Sequence, residues 1–222
     1  IGCGTGRWSI PVAKRVKKLY LIDPSDKALD IAKRNLMDFK NVEFLNKGVD
    51  AAMPDIEHLD FAYSLGVLHH VPDIAAAFYS ISKNLKKGSP FLVYLYHSFE
   101  DNPAWYKFLW KITDIFRLII SVMPHKVKII ITQAIAIFIY WPVSRIGLML
   151  NKLGFDTNNF PLIYYSNKPF YFMRNDSLDR FGTRLENRFS KKEIEQLFEK
   201  SGFKDIRFSD KKPFWCACGV KV

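Results

Sequence analysis

The sequence predicts an α/β protein with a doubly wound, mostly parallel sheet. Two observations lead to this prediction. The chain opens with a glycine-rich loop, Gly2-Cys3-Gly4-Thr5-Gly6, of the kind that joins a strand to a helix. After the loop, apolar runs of strand length alternate with helical patterns through about residue 96. This alternation predicts parallel strands, because each connection must cross from one end of the sheet to the other.

The individual elements follow from periodicity and turn residues. Helices are predicted from the glycine loop to about Val16, from Ser25 to about Met37 and from about Asp73 to Leu85. Strands are predicted at four apolar segments: "KLYLID", "NVEFLN", "LDFAYSLGVL" and "PFLVYLY". Near the C terminus, "DIRFSDKKPFWCACGVKV" predicts two strands joined by a turn around Lys211 to Pro213.

Composition narrows the function classes. The 222 residues are 49% hydrophobic, which suits one large domain or a domain with an insertion. The net charge of +11 favours an anionic partner: nucleic acid, a phosphate-bearing substrate or a membrane surface. The three cysteines, Cys3, Cys216 and Cys218, are too few and too poorly spaced for a disulfide framework or a zinc site. We therefore predict no metal site and a reducing, cytoplasmic location.

Ligands of doubly wound sheets bind beyond the carboxyl ends of the strands. The segments that follow the predicted strands are therefore the candidate ligand contacts: residues 2–6, Asp23, 48–50, 64–68 and 96–97. The spacing of the glycine loop separates two cofactor classes. A dinucleotide-binding loop has the pattern G-x-G-x-x-G, and the third glycine position is occupied here by Arg7. This spacing argues against a nicotinamide dehydrogenase.

Three motifs occur in one order along the chain: the glycine loop, Asp23 at the end of the next strand, and "SLGVLHHVPD" after a later strand. Together they resemble motifs of the small-molecule branch of class I S-adenosylmethionine-dependent methyltransferases. The resemblance covers most of residues 1–96 and resumes at "RFSKKEIEQLFEKSGFKDIRF". It implies a Rossmann-like, seven-stranded sheet that closes with an antiparallel strand, and S-adenosylmethionine as the cofactor.

In that family a strand precedes the glycine loop, whereas this chain begins inside the loop. The resemblance therefore implies an absent first strand of about five or six residues. We expect the 222 residues alone to fold poorly and to bind the cofactor weakly, because the sheet would lack a central member.

The resemblance assigns the first cofactor contacts. The loop glycines Gly2, Gly4 and Gly6 would let the backbone pass close to the methionine part of the cofactor. Asp23 would accept hydrogen bonds from the ribose hydroxyls. The alternative for Asp23 is a cap on the next helix, a role that Ser25 could fill instead.

The remaining cofactor contacts are assigned to residues that follow strands: Pro24, Val49, Asp50, Ser64, Leu65 and Gly66. The family often has an acid that meets the adenine amino group, but the aligned residue here is Val49, with Asp50 one position later. Two interpretations remain open: Asp50 substitutes through a shifted loop, or Val49 packs on the purine. Residues 64–66 would offer backbone groups and an apolar wall to the cofactor.

His69 and His97 are the candidate catalytic bases. An unperturbed imidazole titrates near about pH 6.5 and could remove a proton from the methyl acceptor. For His69 the alternative is a structural histidine that ties the turn to the next helix, since one member of the His69-His70 pair must face that helix. His97 follows a strand, near the expected methyl-transfer site. The identity of the base stays open.

The chain divides into three segments: a cofactor-binding core at 1–100, a helical cap at 101–187, and a C-terminal helix with a strand hairpin at 188–222. The cap is aromatic and basic. Its apolar run from Ile129 to Trp141 is shorter than the roughly 20 residues that a bilayer requires, so no span is predicted. Two alternatives remain open: the cap touches a membrane surface, or it packs on the core without lipid contact.

The end of the predicted cap is dense in arginine and acidic residues. Tyr165, Arg174 and Arg180 are the candidate substrate contacts, because guanidinium groups suit phosphate or carboxylate. Part of this density has a structural explanation, since "SKKE" from Ser190 predicts a capping box that opens a helix. The stretch resembles the C-terminal part of bacterial methyltransferases of cell-surface glycan pathways, which implies a sugar acceptor.

We therefore predict direct transfer of a methyl group to an oxygen of a small molecule, such as a sugar or a lipid-linked glycan intermediate. The alternative is a non-catalytic scaffold on the same fold, which is favoured by Val49 at the position of the adenine-facing acid. Nucleic acid is not expected as the substrate. The chain lacks an N-P-P-Y-type tetrad for flipped bases, and its cap is apolar where a nucleic-acid groove should be polar.

Overall fold

The computed structural model describes residues 1–49, 56, 58–100, 102–210 and 215–222. The chain forms two compact units. The sheet unit consists of Ile1–Ser98 and Asn187–Val222, and the helical unit of Phe99–Glu186. The unit boundaries at residues 98 and 186 lie close to the segment ends predicted at 100 and 187.

Strands and helices alternate in the first part of the sheet unit. Its strands are β1 Leu19–Asp23, β2 Val42–Asn46, β3 Ala62–Leu65, β4 Pro90–Tyr94, β5 Phe203–Phe208 and β6 Cys216–Lys221. Its helices are α1 Ser9–Ala13, α2 Asp26–Asn35, α3 Ile74–Asn84 and α8 Lys191–Lys200. Each of the predicted helices and strands is therefore present among the described residues, although α1 ends before Val16.

The described strands form two sheets, and the seven-stranded sheet that the resemblance implies, with its first strand absent, stays a prediction. β1 and β2 form a parallel pair, and the second sheet has the strand order β3-β4-β6-β5. β3 and β4 are parallel, whereas β6 is antiparallel to both β4 and β5. The closing antiparallel strand was predicted correctly. The turn predicted at Lys211 to Pro213 lies outside the described residues.

The first two residues of the chain lie between the two sheets. The Ile1 nitrogen donates to the Tyr63 carbonyl in β3 at 2.8 Å. The Gly2 nitrogen donates to the Ile22 carbonyl in β1 at 2.7 Å. The residues that lead into the glycine loop thus bond to β1 on one side and to β3 on the other. The expectation of a strand before residue 1 stays a prediction.

The core of the sheet unit lies where α3 and α8 cover the four-stranded sheet. Phe78 of α3, Phe91 of β4 and Phe198 of α8 are fully buried. Their ring centroids lie 5.1 to 5.7 Å apart, in edge-on or tilted arrangements that aromatic pairs prefer. Burying each such side chain stabilises the fold by about 1.5–3 kcal/mol.

Side-chain caps fix the start of two helices. Ser25 Oγ accepts a hydrogen bond from the Ala28 nitrogen at 3.3 Å and opens α2. Ser190 Oγ accepts from the Glu193 nitrogen, and the Glu193 carboxylate accepts from the Ser190 nitrogen at 2.7 Å. This reciprocal pair is the capping box that the sequence predicts at the start of α8.

The helical unit contains α4 Ala104–Ser121, α5 His125–Ile135, α6 Trp141–Lys152 and α7 Phe170–Gly182. A π-helical segment, Ala136–Tyr140, joins α5 to α6. At its end the Trp141 nitrogen donates to the Ala136 carbonyl, five residues back. The next residue, Pro142, has no N–H with which to continue a regular α-helical ladder.

Because this segment joins α5 to α6, His125–Lys152 is one helix of 28 residues. By length and composition it is apolar enough to cross a membrane. The argument that the run Ile129 to Trp141 is too short for a span is therefore corrected: the helix continues beyond that run. Core helices of soluble proteins meet the same criterion, so length and composition alone assign no membrane topology.

An ion-pair network connects α4 to α7. Arg117 of α4, which is 6% exposed, donates from Nε to Asp114 Oδ1 at 2.5 Å. Arg180 of α7 donates from Nη1 to Asp114 Oδ1 at 3.2 Å and to both Glu186 oxygens at 3.1 Å. Burial raises the pKa of Asp114, but the hydrogen bonds and charges of Arg117 and Arg180 outweigh it and hold this pKa below its usual value.

Replacing Asp114 with Asn should destabilise the protein at neutral pH by about 3 kcal/mol, because two largely buried arginines lose a shared carboxylate. The pKa of Asp114 is lowered in the folded state, so its ionised form stabilises the fold above the unfolded-state pKa of about 3.9. That contribution is lost as the pH falls through the lower folded-state pKa. The difference in melting temperature between parent and variant should therefore narrow below about pH 4.

Thermal unfolding of both proteins between about pH 7 and pH 3 measures this effect. The matched control is Asp60→Asn, which removes an exposed ion pair with Lys86 and should change the melting temperature little at any pH. A difference between parent and D114N that stays constant over the whole range would contradict the assignment.

Candidate cofactor site

The glycine loop is held from two sides. The Gly2 and Cys3 nitrogens both donate to the Ile22 carbonyl, at 2.7 and 3.1 Å, which fixes the loop to β1. Asn35, at the end of α2, donates from Nδ2 to the Thr5 carbonyl at 2.9 Å. The loop backbone is thus positioned by protein groups alone.

Asp23 connects the elements of the site. It ends β1 and is 8% exposed. Its Oδ2 accepts from the Gly4 nitrogen at 2.8 Å, and its Oδ1 accepts from the Ser25 nitrogen at 2.9 Å. Ser25 is the residue that caps α2, so the alternative interpretation of Asp23 as the helix cap is wrong. One carboxylate therefore links the glycine loop, β1 and the start of α2.

The Asp23 carboxylate retains acceptor capacity. An ionised carboxylate offers about four lone-pair positions, and the two backbone donors use two of them. Each oxygen therefore keeps room for one more donor, which suits a vicinal diol. The neighbouring Cys3 does not add a nucleophile, because burial and the charge of Asp23 raise the pKa of its thiol to about 11.

The three loop glycines have different surroundings, although each has a positive φ. A Cβ built on Gly2 would lie 2.4 Å from the Val67 side chain, and one on Gly6 would lie 2.9 Å from Leu36. A Cβ on Gly4 would meet no atom of the described residues within 4 Å. Gly2 and Gly6 therefore allow close packing, whereas Gly4 faces open space where a ligand can approach the backbone.

Ser64, Leu65 and Gly66 lie at the carboxyl end of β3, where the sequence places them. Ser64 is fully buried and donates from Oγ to the Ile1 carbonyl at 3.2 Å. The Gly66 nitrogen donates to the Tyr94 carbonyl of β4 at 3.2 Å. Their backbone is therefore fixed at this edge of the sheet, and their contact with a cofactor stays a prediction.

The segment after β2 is described only in part. Val49 is 5% exposed and packs in the core of the sheet unit, in the same cluster as Ala62 and Leu68. Its side chain is thus largely committed to the core, and its contact with a purine stays a prediction. Asp50 lies outside the described residues. Pro24 is exposed directly after Asp23.

His69 is completely buried in a 3-10 turn before α3. Its ring stacks on Tyr96, with centroids 3.7 Å apart and an interplanar angle of 22°. Its carbonyl accepts from the Asn187 nitrogen at 2.8 Å, which ties the turn to the segment before α8. This environment favours the structural alternative for His69, and its catalytic role stays a prediction.

His97 is partly exposed just beyond β4. Its ring lies edge-on to Trp215, with centroids 6.1 Å apart. Arg188 donates from Nη1 to the His97 carbonyl at 3.3 Å and places its guanidinium carbon 5.1 Å from the centre of the Tyr96 ring. Of the two candidate bases, His97 is therefore the more accessible.

The predicted substrate contacts lie in the helical unit. Tyr165 donates from Oη to Asp176 Oδ2 at 2.8 Å. Arg180 belongs to the ion-pair network, and its side chain is 12% exposed. Arg174 is exposed on α7. Of these three, Arg174 keeps its guanidinium group at the surface, whereas the other two bond to carboxylates of their own unit.

Sequence reasoning missed one residue that shapes the site, Asn35. It bonds to the Thr5 carbonyl, 30 residues away in the chain, and belongs to no motif. The available signal was a polar residue in the last turn of the helix that follows Asp23.

Alanine substitutions at Gly2 and Gly4 should separate packing from ligand approach. Both place a side chain at positive φ, which costs about 1–2 kcal/mol. Gly2→Ala must also displace the Val67 side chain, which should cost about 1–3 kcal/mol more. Urea unfolding measures both free energies. Equal destabilisation by the two variants would refute this division of roles.

Comparison with known proteins gives a family match within the sheet unit. Residues 1–88 match a family model described as a methyltransferase domain. Over 77 residues the chain is 35% identical to a probable cobalt-precorrin-6B C(15)-methyltransferase (decarboxylating) of Methanobrevibacter smithii, which covers 33% of this chain and 41% of that protein. Over 90 residues it is 36% identical to ubiquinone biosynthesis O-methyltransferase of Nitrosomonas europaea, which covers 40% and 38%.

The chain spans about two fifths of the length of these curated relatives. Among solved structures, a S-adenosylmethionine-dependent methyltransferase of Thermotoga maritima, a possible histamine N-methyltransferase, aligns with a TM-score of 0.53 at 16% identity. The alignment covers 100% of this chain and 80% of that chain, and it supports the Rossmann-like fold. With the glycine loop and Asp23 in place, the match over residues 1–88 identifies this part of the chain as a methyltransferase domain.

Proposed function

We propose that the protein transfers a methyl group from S-adenosylmethionine to a small molecule, and that the acceptor atom is an oxygen of a sugar or of a lipid-linked glycan intermediate. The bond from the Gly4 nitrogen to Asp23 Oδ2 is the observation that carries the proposal. It holds an open loop backbone beside a carboxylate with spare acceptor positions. The names of the two curated relatives, a precorrin and a ubiquinone methyltransferase, support the class of small-molecule acceptors.

Different residues of the site would contact different parts of the cofactor. Asp23 would accept the two ribose hydroxyls, and the open face of Gly4 would admit the methionine part. The backbone at Ser64 to Gly66 would border the bound molecule at the carboxyl end of β3. When bound, S-adenosylmethionine supplies an activated methyl group on its sulfonium. The protein chiefly aligns the acceptor in line with that group and excludes water.

His97 is the proposed general base. A neutral imidazole accepts a proton near pH 7, and His97 is the partly exposed member of the candidate pair. The Arg188 bond to its carbonyl fixes the backbone at this position. In the helical unit Arg174 is the proposed contact for an anionic group of the acceptor, because its guanidinium group remains at the surface.

A non-catalytic binding protein on the same fold is the second candidate function. It is favoured by Val49, which occupies the aligned position of the adenine-facing acid and is buried in the core. Such a protein would bind the cofactor without turning it over. For either function we propose a cytoplasmic location, since the three cysteines are free thiols.

Calorimetric titration with S-adenosylmethionine tests the cofactor site. The intact protein should bind it with a dissociation constant on the order of micromolar, corresponding to about −8 kcal/mol. Asp23→Ala should weaken binding at least about tenfold, because it removes charged acceptors from the ribose and releases the loop. The matched control, Asp38→Ala, removes an exposed acid and should leave the affinity unchanged.

Two outcomes would count against this site. A folded protein that gives no binding heat would refute the enzyme proposal. Equal loss of affinity in Asp23→Ala and Asp38→Ala would assign the effect to net charge rather than to the Asp23 contacts. A nicotinamide dinucleotide, titrated in parallel, should give no binding.

Transfer of a labelled methyl group to sugars and lipid-linked sugar phosphates tests the reaction. With an acceptor that turns over, His97→Asn should lower kcat about 100-fold and remove the acidic limb of the pH–rate profile. His69→Asn should instead lower the melting temperature, because it disrupts a buried stacked ring. A parent protein that binds S-adenosylmethionine but methylates none of these acceptors would favour the non-catalytic alternative.

A further inference from the structure

The outer face of α4 is apolar along its whole length. Its exposed side chains follow a helical spacing of three and four residues, and each is 38% to 66% exposed. We call this set the α4 stripe: Trp105, Phe108, Leu109, Ile112, Ile115, Phe116, Ile119 and Val122. At about 1.5 Å per residue the stripe is roughly 25 Å long. Single exposed apolar residues are ordinary, but a contiguous patch of this size marks an interaction surface.

The inner face of α4 carries both polar and apolar side chains, and Ile120 is buried in one cluster with Ala136 and Met173. Asp114 accepts hydrogen bonds from Arg117 and from Arg180 of α7. Ser121 is also buried on this side. In a soluble helix packed on a core, the apolar face is the buried one. Here α4 is apolar on its outer side as well, and the stripe has no covering layer among the described residues.

The charges of this region match an anionic surface. Residues 104–152 contain seven lysines and arginines but one acidic residue, Asp114, which the inner network holds. Lys111, Lys126 and Lys152 are exposed. A second copy docked through the same stripe would place the lysines of one copy near those of the other, because a two-fold interface pairs the same surface of both copies. These like charges would repel each other. An anionic lipid surface would attract them instead.

The long helix His125–Lys152 also exposes apolar residues on one side. On its other side it forms hydrogen bonds with polar residues of the helical unit. Ser177 of α7 donates from Oγ to the Thr132 carbonyl at 2.9 Å. Arg145 donates from Nη1 to the Ser166 carbonyl at 2.5 Å. Crossing a bilayer would carry these neighbours and the charged α7 into hydrocarbon, which is costly. A helix that lies in the interface keeps its polar side in water.

We propose that the helical unit docks on an anionic membrane surface through the α4 stripe, with the neighbouring lysines bound to lipid head groups. The docking is peripheral: the apolar side chains enter the head-group and acyl boundary, and the ion-pair network stays on the protein side. This surface does not depend on the methyl-transfer proposal, since its residues lie in the helical unit and those of the cofactor site in the sheet unit.

Vesicle sedimentation of the intact protein tests the proposal. The protein should bind vesicles that contain about 30% phosphatidylglycerol in phosphatidylcholine, and bind phosphatidylcholine alone more weakly. Raised salt should weaken binding, and alkaline carbonate should release the protein. The variant F108S/I115S/I119S should lower the partition coefficient about tenfold or more, because three inserted side chains are lost.

The matched control removes three exposed apolar side chains from the sheet unit: M37S/F61S/Y79S. It should bind vesicles like the parent. Melting temperature and S-adenosylmethionine affinity, measured on the same samples, should be unchanged in both triple variants. The two proposals are thus tested separately. A failed cofactor titration refutes the methyl-transfer proposal and leaves the docking proposal untouched. Lost vesicle binding in the stripe variant supports the docking proposal and says nothing about methyl transfer.

Three results would overturn the docking proposal. Equal vesicle binding by the stripe variant and the control would show that the stripe does not insert. Resistance of bound protein to alkaline carbonate would identify a membrane span instead. The third result is a parent protein that does not bind vesicles and whose α4 amides exchange hydrogen slowly in solution. It would mean that a second copy or another part of the chain covers the stripe.

Discussion

The candidate site depends on one buried carboxylate. Asp23 is 8% exposed, and burial of an ionised group is costly unless donors surround it. Its two donors come from different elements, the Gly4 nitrogen of the loop and the Ser25 nitrogen before α2. Satisfying Asp23 therefore sets the path of the loop relative to β1 and α2 at the same time. The conformation of the loop at the candidate cofactor site thus follows from the hydrogen-bond donors that the buried Asp23 carboxylate requires.

The glycines follow from this constraint. A loop pulled toward Asp23 must turn tightly, and positive φ at Gly2, Gly4 and Gly6 provides the turn. Gly2 and Gly6 then lie against Val67 and Leu36, so a side chain at either position would disturb packing. Gly4 alone of the three is open on its Cα side among the described residues. The same sequence pattern therefore serves two physical purposes, and the sequence does not distinguish them.

Local interactions of the sheet unit were predictable from sequence, whereas burial was not. The capping box at Ser190 and the strand-end position of Asp23 depend on neighbours within a few residues, and both were predicted correctly. The burial of Val49 and the stacking of His69 on Tyr96 depend on elements that are distant in the chain. The strand order β3-β4-β6-β5 depends on which strand edges meet, and periodicity carries no information on that pairing.

The same limit explains why α4 could not be oriented from sequence. Helical periodicity gives an apolar face and a polar face, and the hydrophobic effect alone would bury the apolar one. Ion pairs add a second constraint, because Arg117 and Arg180 share Asp114, and Arg180 also binds Glu186, whose side chain is fully buried. Turning α4 over would remove Asp114 and Arg117 from this network and take Ile120 out of its apolar cluster. Arg180 would then lose one of its two carboxylate partners in a largely buried position, which is costly. The network and Ile120 together hold this face of α4 inward, and the stripe lies on the opposite face.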